Sequence, residues 1–249
     1  MIDSSVLYQS RYYKMCNNSP EDVTMKGFAL ETFRKRQGVS QVQAAKLLGL
    51  SQPMLSHMES GKRNVSLEVA QRAAELFGGD PTALPVNPLP RHSDETLASE
   101  LARLGYPGYA HLSGRLRNPA ELLLDALDHS DLDVRTTEGL PWVVLTYPHI
   151  DWSWLLREVK LRNRQNRLGF VVSLANKMAH QNDKFVVCNA LEPVLRELED
   201  ARLVKEDTLC QESWPLSRKQ HVRAVRSKLA AHWNLDTRLS EADLAHYTT

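Results

Sequence analysis

Four side chains near the start of one short segment have the chemistry to read a nucleic acid. They are Gln52, Pro53, Ser56 and His57. An amide, a hydroxyl and an imidazole can donate to or accept from base edges, and a proline ring can touch a thymine methyl. Their spacing places them on the outward face of a helix running from about Gln52 to Ser60, while Met54, Leu55 and Met58 face inward. Such a helix presents base-reading groups when its N-terminal end enters the major groove.

Positioning that helix requires a partner and a sharp turn. Ser40 is a good N-cap for a preceding helix that carries Ala44, Ala45, Leu47 and Leu48 on one face. Gly49 can take the left-handed backbone that ends it, Ser51 can cap the next helix, and Pro53 falls in a first turn where a missing N–H costs nothing. From Lys26 to Arg63 seven basic residues face two acids, a balance of +5 in a chain whose total is +1. Positive charge is therefore concentrated where phosphate contact would need it.

The block from about Gly27 to Leu84 resembles the DNA-binding domain of phage repressors and the wider XRE-type bacterial regulators. The matching pattern is Ser40-Gln41, Ala44-Ala45, Leu48-Gly49, Ser51-Gln52, Leu55-Ser56, Glu59-Ser60-Gly61 and Arg63, followed by Ser66 opening a further helix. It covers roughly a quarter of the chain and is dense enough to be specific. The resemblance implies that Gln41 bonds a backbone phosphate, that Gln52 and His57 read bases, and that Lys62, Arg63 and Asn64 hold the next phosphates. It also implies a structural ion pair between Arg34 and Glu59. Pro53 departs from the polar residue often found in the family, so discrimination there would be apolar contact.

The length of 249 residues suggests two domains. The expected order is an arm over 1–18, a five-helix helix-turn-helix domain over 19–84, a proline-rich linker over 85–92 and a helical domain over 93–249. Ser19-Pro20-Glu21-Asp22 is a strong helix start, predicting a helix to Gln37 with Phe28, Leu30 and Phe33 toward the core. Another is expected from Val65 to Gly78, with Leu67, Val69, Ala70, Ala73, Leu76 and Phe77 apolar. DPTALPVNPLPR, from Asp80 to Arg91, cannot be helical through its length and reads as a stiff boundary.

The fold class expected is all-α throughout. After Ser93 the spacing predicts helices over Asp94–Leu104, Pro119–Leu127, Val134–Leu145, Trp152–Lys160, Gln165–Met178, Val186–Leu203, Arg218–Leu235 and Glu241–His246. Leu140-Pro-Trp-Val-Val and Leu168-Gly-Phe-Val-Val echo one another at a separation of 28, which suggests stacked helix pairs in a short solenoid-like array. Two basic clusters stand out: Arg157, Lys160, Arg162, Arg164 and Arg167, then Arg218, Lys219, Arg223, Arg226 and Lys228. They read as solvated faces or internal pairs with acids such as Glu197, Glu199, Asp200, Glu206 and Asp207; added phosphate contact and an acidic partner protein are the alternatives. All five tryptophans, Trp142, Trp152, Trp154, Trp214 and Trp233, lie in this part. Trp152 and Trp154 cannot share a helix face, which points to a neighbouring element or a second subunit.

Enzymatic chemistry is not expected. Arg226 and His232 have the loose spacing of the Arg-His motif of all-α HEPN ribonucleases, whose remaining pattern is absent. His92, His111, His129, His149, His180, His221 and His246 show no HExxH or Cys/His metal spacing, Asp151 reads as a helix cap, and no glycine-rich phosphate loop is present. Cys16, Cys188 and Cys210 are odd in number and far apart, as reduced thiols of a cytoplasmic protein would be. No apolar run approaches the ~18 residues a membrane span needs, and no secretory leader is evident.

The expectation is a cytoplasmic transcriptional regulator, a repressor, that binds a double-stranded DNA operator as a homodimer without cofactor or metal. Its C-terminal domain would dimerise it and receive a small-molecule effector or a cognate protein partner. An antitoxin or defence-operon autorepressor is the alternative, and an HEPN-like ribonuclease effector the third.

Overall fold

The computed structural model describes Met25 and residues 27–86 and 93–244, and divides into two compact units, 1–87 and 88–249. The expected N-terminal arm, the helix start at Ser19, most of the proline-rich linker, Cys16, His92 and His246 lie outside the described residues.

The first unit contains α1 (Gly27–Arg36), α2 (Gln41–Leu48), α3 (Gln52–Glu59), α4 (Leu67–Phe77) and a 3-10 turn over Pro81–Ala83. Five helices were expected; among the described residues there are four and that turn. Ser40 begins α2 with a reciprocal cap, in which its hydroxyl accepts from Gln43 N and the Gln43 side chain accepts from Ser40 N. Gly49 ends α2 at φ 72°, a left-handed backbone that only glycine takes without strain. Two residues later the Ser51 hydroxyl accepts from Met54 N and starts α3. Ser66 opens α4 in the same way.

Leu30 and Phe33 of α1, Ala44, Ala45 and Leu48 of α2, Leu55 and Met58 of α3, and Ala70, Ala73 and Phe77 of α4 form the core. Helix α1 packs on α3 and α4, and α2 packs on the same two. The expected apolar faces were too wide. Phe28 is 65% exposed, Leu47 46% and Leu76 47%, because short helices bury a narrow stripe and a side chain one position round is turned ~100° away. The helix that reaches Arg36 starts at Gly27 and is not continuous through Met25, which makes an antiparallel bridge to Val65 and so is extended. At the other end Leu84 and Val86 are both buried.

The second unit is a stack of helices: α5 (Asp94–Leu104), α6 (Pro119–Asp128), α7 (Val134–Thr146), α8 (Trp152–Leu161), α9 (Gln165–Gln181) and α10 (Phe185–Asp200). Helix α5 packs on α6 and α7, α6 on α7 and α8, and α9 on α7, α8 and α10. Most of these contacts join helices that are adjacent or next but one in sequence, the arrangement by which helix pairs stack into layers. The echoing leucines, Leu140 and Leu168, are both fully buried on the adjoining helices α7 and α9.

Beyond α10 the chain closes with β1 (Asp207–Thr208), α11 (Leu216–Val225), α12 (Lys228–His232), β2 (Leu235–Asp236) and α13 (Glu241–Leu244). The single helix expected over Arg218–Leu235 is broken. Arg226 is extended, at φ −63° and ψ 154°, Ser227 caps α12 anew, and Leu235–Asp236 pair with Asp207–Thr208 as a short parallel ladder. The bend aims Arg226 at Glu206 and Asp236, which outweighs the helical preference of the run. Trp233 packs over Gly169 of α9, where a Cβ would lie 2.3 Å from the ring, and its indole N–H donates to Ser173.

Trp154 is buried, and half-buried Trp152 donates to Pro148 O in its own loop. Cys188 and Cys210 are buried free thiols. Among the described residues no group of His, Cys, Asp and Glu has metal-binding geometry, and no helix is long and apolar enough to cross a membrane.

Candidate nucleic-acid interface

The first unit builds its surface site from a buried ion pair outward. Arg34 donates from Nε to Glu59 Oε1 at 2.7 Å and from Nη2 to Oε2 at 2.9 Å, and a third donor, Nη1, reaches Val39 O. Both side chains are almost wholly buried, and the carboxylate pushes the Arg34 guanidinium above its ordinary pKa by hydrogen bonding. A two-pronged arginine–carboxylate contact in such a setting fixes geometry as well as energy. It ties the end of α3 to α1.

From that pair a chain of amides runs to the surface. Gln41 Nε2 donates to Glu59 Oε2 at 2.8 Å, and Gln52 Nε2 donates to Gln41 Oε1 at 3.0 Å. The directions follow from chemistry. An ionised carboxylate has no proton to give, so Gln41 must turn its N–H toward Glu59. Its carbonyl then faces Gln52, which must answer with an N–H. The Gln52 carbonyl and its second N–H remain for a ligand, the donor and acceptor pair that matches N7 and the N6 amine of adenine.

Around this amide lie the other residues expected to contact DNA. Gln52, Pro53 and His57 are exposed along the outer face of α3, Ser56 is half-buried, and Met54, expected to face inward, is only half-buried too. Ser51 is exposed, with its oxygen accepting the α3 cap bond, which leaves its O–H to donate outward. After the left-handed Gly61, the exposed side chains of Lys62, Arg63 and Asn64 follow in succession. Lys46 is exposed on α2. The surface thus combines a neutral hydrogen-bonding strip with flanking cations. Sequence reasoning gave Gln41 a phosphate and missed its second function as the link between Glu59 and Gln52. The separation of 11 residues across the Gly49 turn was the available signal.

The basic clusters of the second unit are arranged differently. Arg167 is completely buried and is held by Asp207, Glu212 and the carbonyls of Leu127 and His129. Arg162 and Arg164 meet Asp128, with Arg162 also on Glu158, and Lys160 meets Glu197. Arg223 and Arg226 share Asp236 and Glu206, and Arg218 lies 4.2 Å over the Trp214 ring. Apart from Arg162 on Glu158 and Arg218 on Trp214, each four residues apart, these cations serve the fold by pairing with acids at least ten residues distant in sequence. Arg226 and His232 fall on opposite sides of the helix break, and His232 contacts Glu199 at 2.7 Å. Asp151 caps α8 by accepting from Trp154 N.

Residues 30–84 match the helix-turn-helix family. Over 79 residues the chain is 39% identical to a Pyrococcus horikoshii protein provisionally named an HTH-type transcriptional regulatory protein. The match takes in 31% of this chain and spans about a quarter (25%) of that relative's length. No solved structure matches the chain. Residues 30–84 are therefore a helix-turn-helix domain of the XRE type.

Proposed function

We propose that this chain is a sequence-specific DNA-binding regulator of transcription, acting as a homodimeric repressor through its first unit. The observation that carries the reading is the oriented amide of Gln52, held at the start of an exposed helix by Gln41, Glu59 and Arg34. Holding a base-reading group in place before binding lowers the conformational entropy lost on contact, which favours discrimination between sequences. Gln52 and His57 read bases, Pro53 offers apolar contact, Ser51 and Ser56 donate nearby, and Lys62, Arg63 and Asn64 hold phosphates. One short helix reads few base pairs. Pairing two copies on half-sites one helical turn apart, ~34 Å, supplies the rest.

The test separates base reading from backbone grip. Gln52→Ala and His57→Ala should each lose roughly 1–3 kcal/mol on a selected operator and little on random DNA. Lys62→Ala should weaken both alike and reduce the salt slope by about 1. Equal losses on operator and random DNA for Gln52→Ala would overturn the assignment of base contact.

A further inference from the structure

The second unit has a pocket of whose lining only Trp214, the ring under Arg218, takes part in the contacts of the basic clusters. Its apolar wall comes from Val134 on α7, Leu209 and Trp214 after β1, and Leu239 before α13, and it encloses about 130 Å³. A dry cavity of ~150 Å³ holds a benzene ring, so this one takes an apolar body of about four to six carbons. Two opposite charges line the same space. Glu138 comes from α7, where Arg135 acts on it only at a distance, and Arg238 from the segment after β2; neither makes a hydrogen bond or a close ion pair among the described residues.

Arg238 is exposed, but Glu138 is half-buried, and the other half-buried charges among the described residues are matched within the fold. Glu138 and Arg238 border one pocket without reaching each other. Asp243, also on the rim, is already committed, since its carboxylate accepts from the Ser240 N–H and hydroxyl at 2.8 Å each. Burial raises the Glu138 carboxyl above its ordinary pKa, the Asp243 charge adds to the rise, and Arg135 partly opposes it. A carboxylate in that setting gains from an incoming cation more than one in open water does. Arg238 offers a forked donor for a carboxylate on the same ligand.

We propose that this pocket binds a small zwitterion with an aliphatic body, the chemistry of a free amino acid such as leucine or valine. The ammonium group pairs with Glu138, the carboxylate with Arg238, and the side chain packs on Trp214, Leu209 and Leu239. The site lies wholly within the second unit and does not depend on the DNA-binding reading, so it is measured without DNA.

Calorimetric titration of the full chain with leucine, isoamylamine, 4-methylvalerate and isoamyl alcohol tests it. Leucine should bind saturably and more tightly than the three compounds that lack one or both charges. Glu138→Gln should weaken leucine and isoamylamine about tenfold or more and leave 4-methylvalerate unchanged, and Arg238→Gln should do the reverse for the two singly charged probes. Both residues keep part of their side chains in solvent, so the variants retain the fold, which a circular dichroism melt verifies. Val134→Trp, at a 60% exposed position on the pocket wall, should block all binding without altering charge. Equal binding of leucine and isoamyl alcohol would assign the pocket to apolar contact alone and overturn the proposal. So would an absence of saturable heat with leucine at millimolar concentration, or insensitivity of leucine binding to both charge substitutions.

Discussion

Glu59 accepts bonds from Arg34 and Gln41 at once, so one carboxylate both joins two helices and sets the direction of the amides beyond it. Two substitutions divide these tasks. Glu59→Ala leaves the buried Arg34 guanidinium without its partner and should lower the stability of the first unit by about 3–5 kcal/mol, read by denaturant unfolding. Glu59→Gln keeps the shape and the volume but supplies an N–H where only acceptors stood. The Gln41 amide is then free to reverse, and the Gln52 amide with it. The expected outcome is a smaller stability loss than for alanine together with a selective loss on the operator relative to random DNA. A variant that binds both DNAs as the parent does would show that the amide chain has no part in discrimination.

Helix boundaries were most readable where a cap and a turn residue coincide. Ser40 with Gly49 and Ser66 with Gly78 bracket α2 and α4, and Ser51 with Pro53 marks the start of α3, since each supplies a hydrogen bond or a backbone conformation that few residues can. The start of α5 at Asp94 behind Ser93 was equally legible. Reading failed where distant contacts decide. In the run from Arg218 to Leu235 only the cap residue Ser227 hints locally at a break, and the acids that extend Arg226, Glu206 and Asp236, are 20 and 10 residues away. The Gln41–Gln52 contact was hidden for the same reason: residue types were visible, their meeting was not. Gly169 illustrates a helix position whose demand comes from another element. Gly169→Ala would place a methyl 2.3 Å from the Trp233 ring and should cost ~1–3 kcal/mol in a thermal or denaturant melt despite alanine's better helix propensity. An unchanged or raised melting temperature would contradict that packing.

Across the two units, a nearly neutral chain separates its charges by use. In the first, lysines and arginines after Gly61 remain exposed; in the second, most of the clustered arginines are paired internally. This predicts an acid sensitivity located in the second unit. Burial, the largest single influence, would raise Asp207, but the hydrogen bonds and charge of Arg167, the Thr208 N–H and the charge of Arg164 together outweigh it and hold its carboxyl below the ordinary range; hydrogen bonds from Arg226 hold Glu206 down as well. A depressed folded-state value gives stability that is present above the unfolded pKa, ~4, and lost as pH falls through the folded value. Stability of the second unit should therefore decline below about pH 4, and Arg167→Met should make it less dependent on pH in that range. Calorimetric unfolding between neutral and strongly acidic pH measures both, and an unchanged slope for Arg167→Met would remove Asp207 as the cause. The helix-turn-helix could be recognised because its pattern is local and dense, whereas the pocket on the second unit is assembled from three segments between residues 134 and 243 that share no motif.

Cys210 lies at the junction of these pairings, wholly buried, with its thiol donating to Ala126 O and pushed up to about 11 by burial despite the nearby Arg167. At neutral pH it is protonated and out of reach, so an alkylating reagent can modify it only after the surrounding helices part. The sulfur is thus a built-in clock for the breathing of the second unit. Its labelling rate should slow when leucine fills the neighbouring pocket, a readout independent of heat and of nucleic acid.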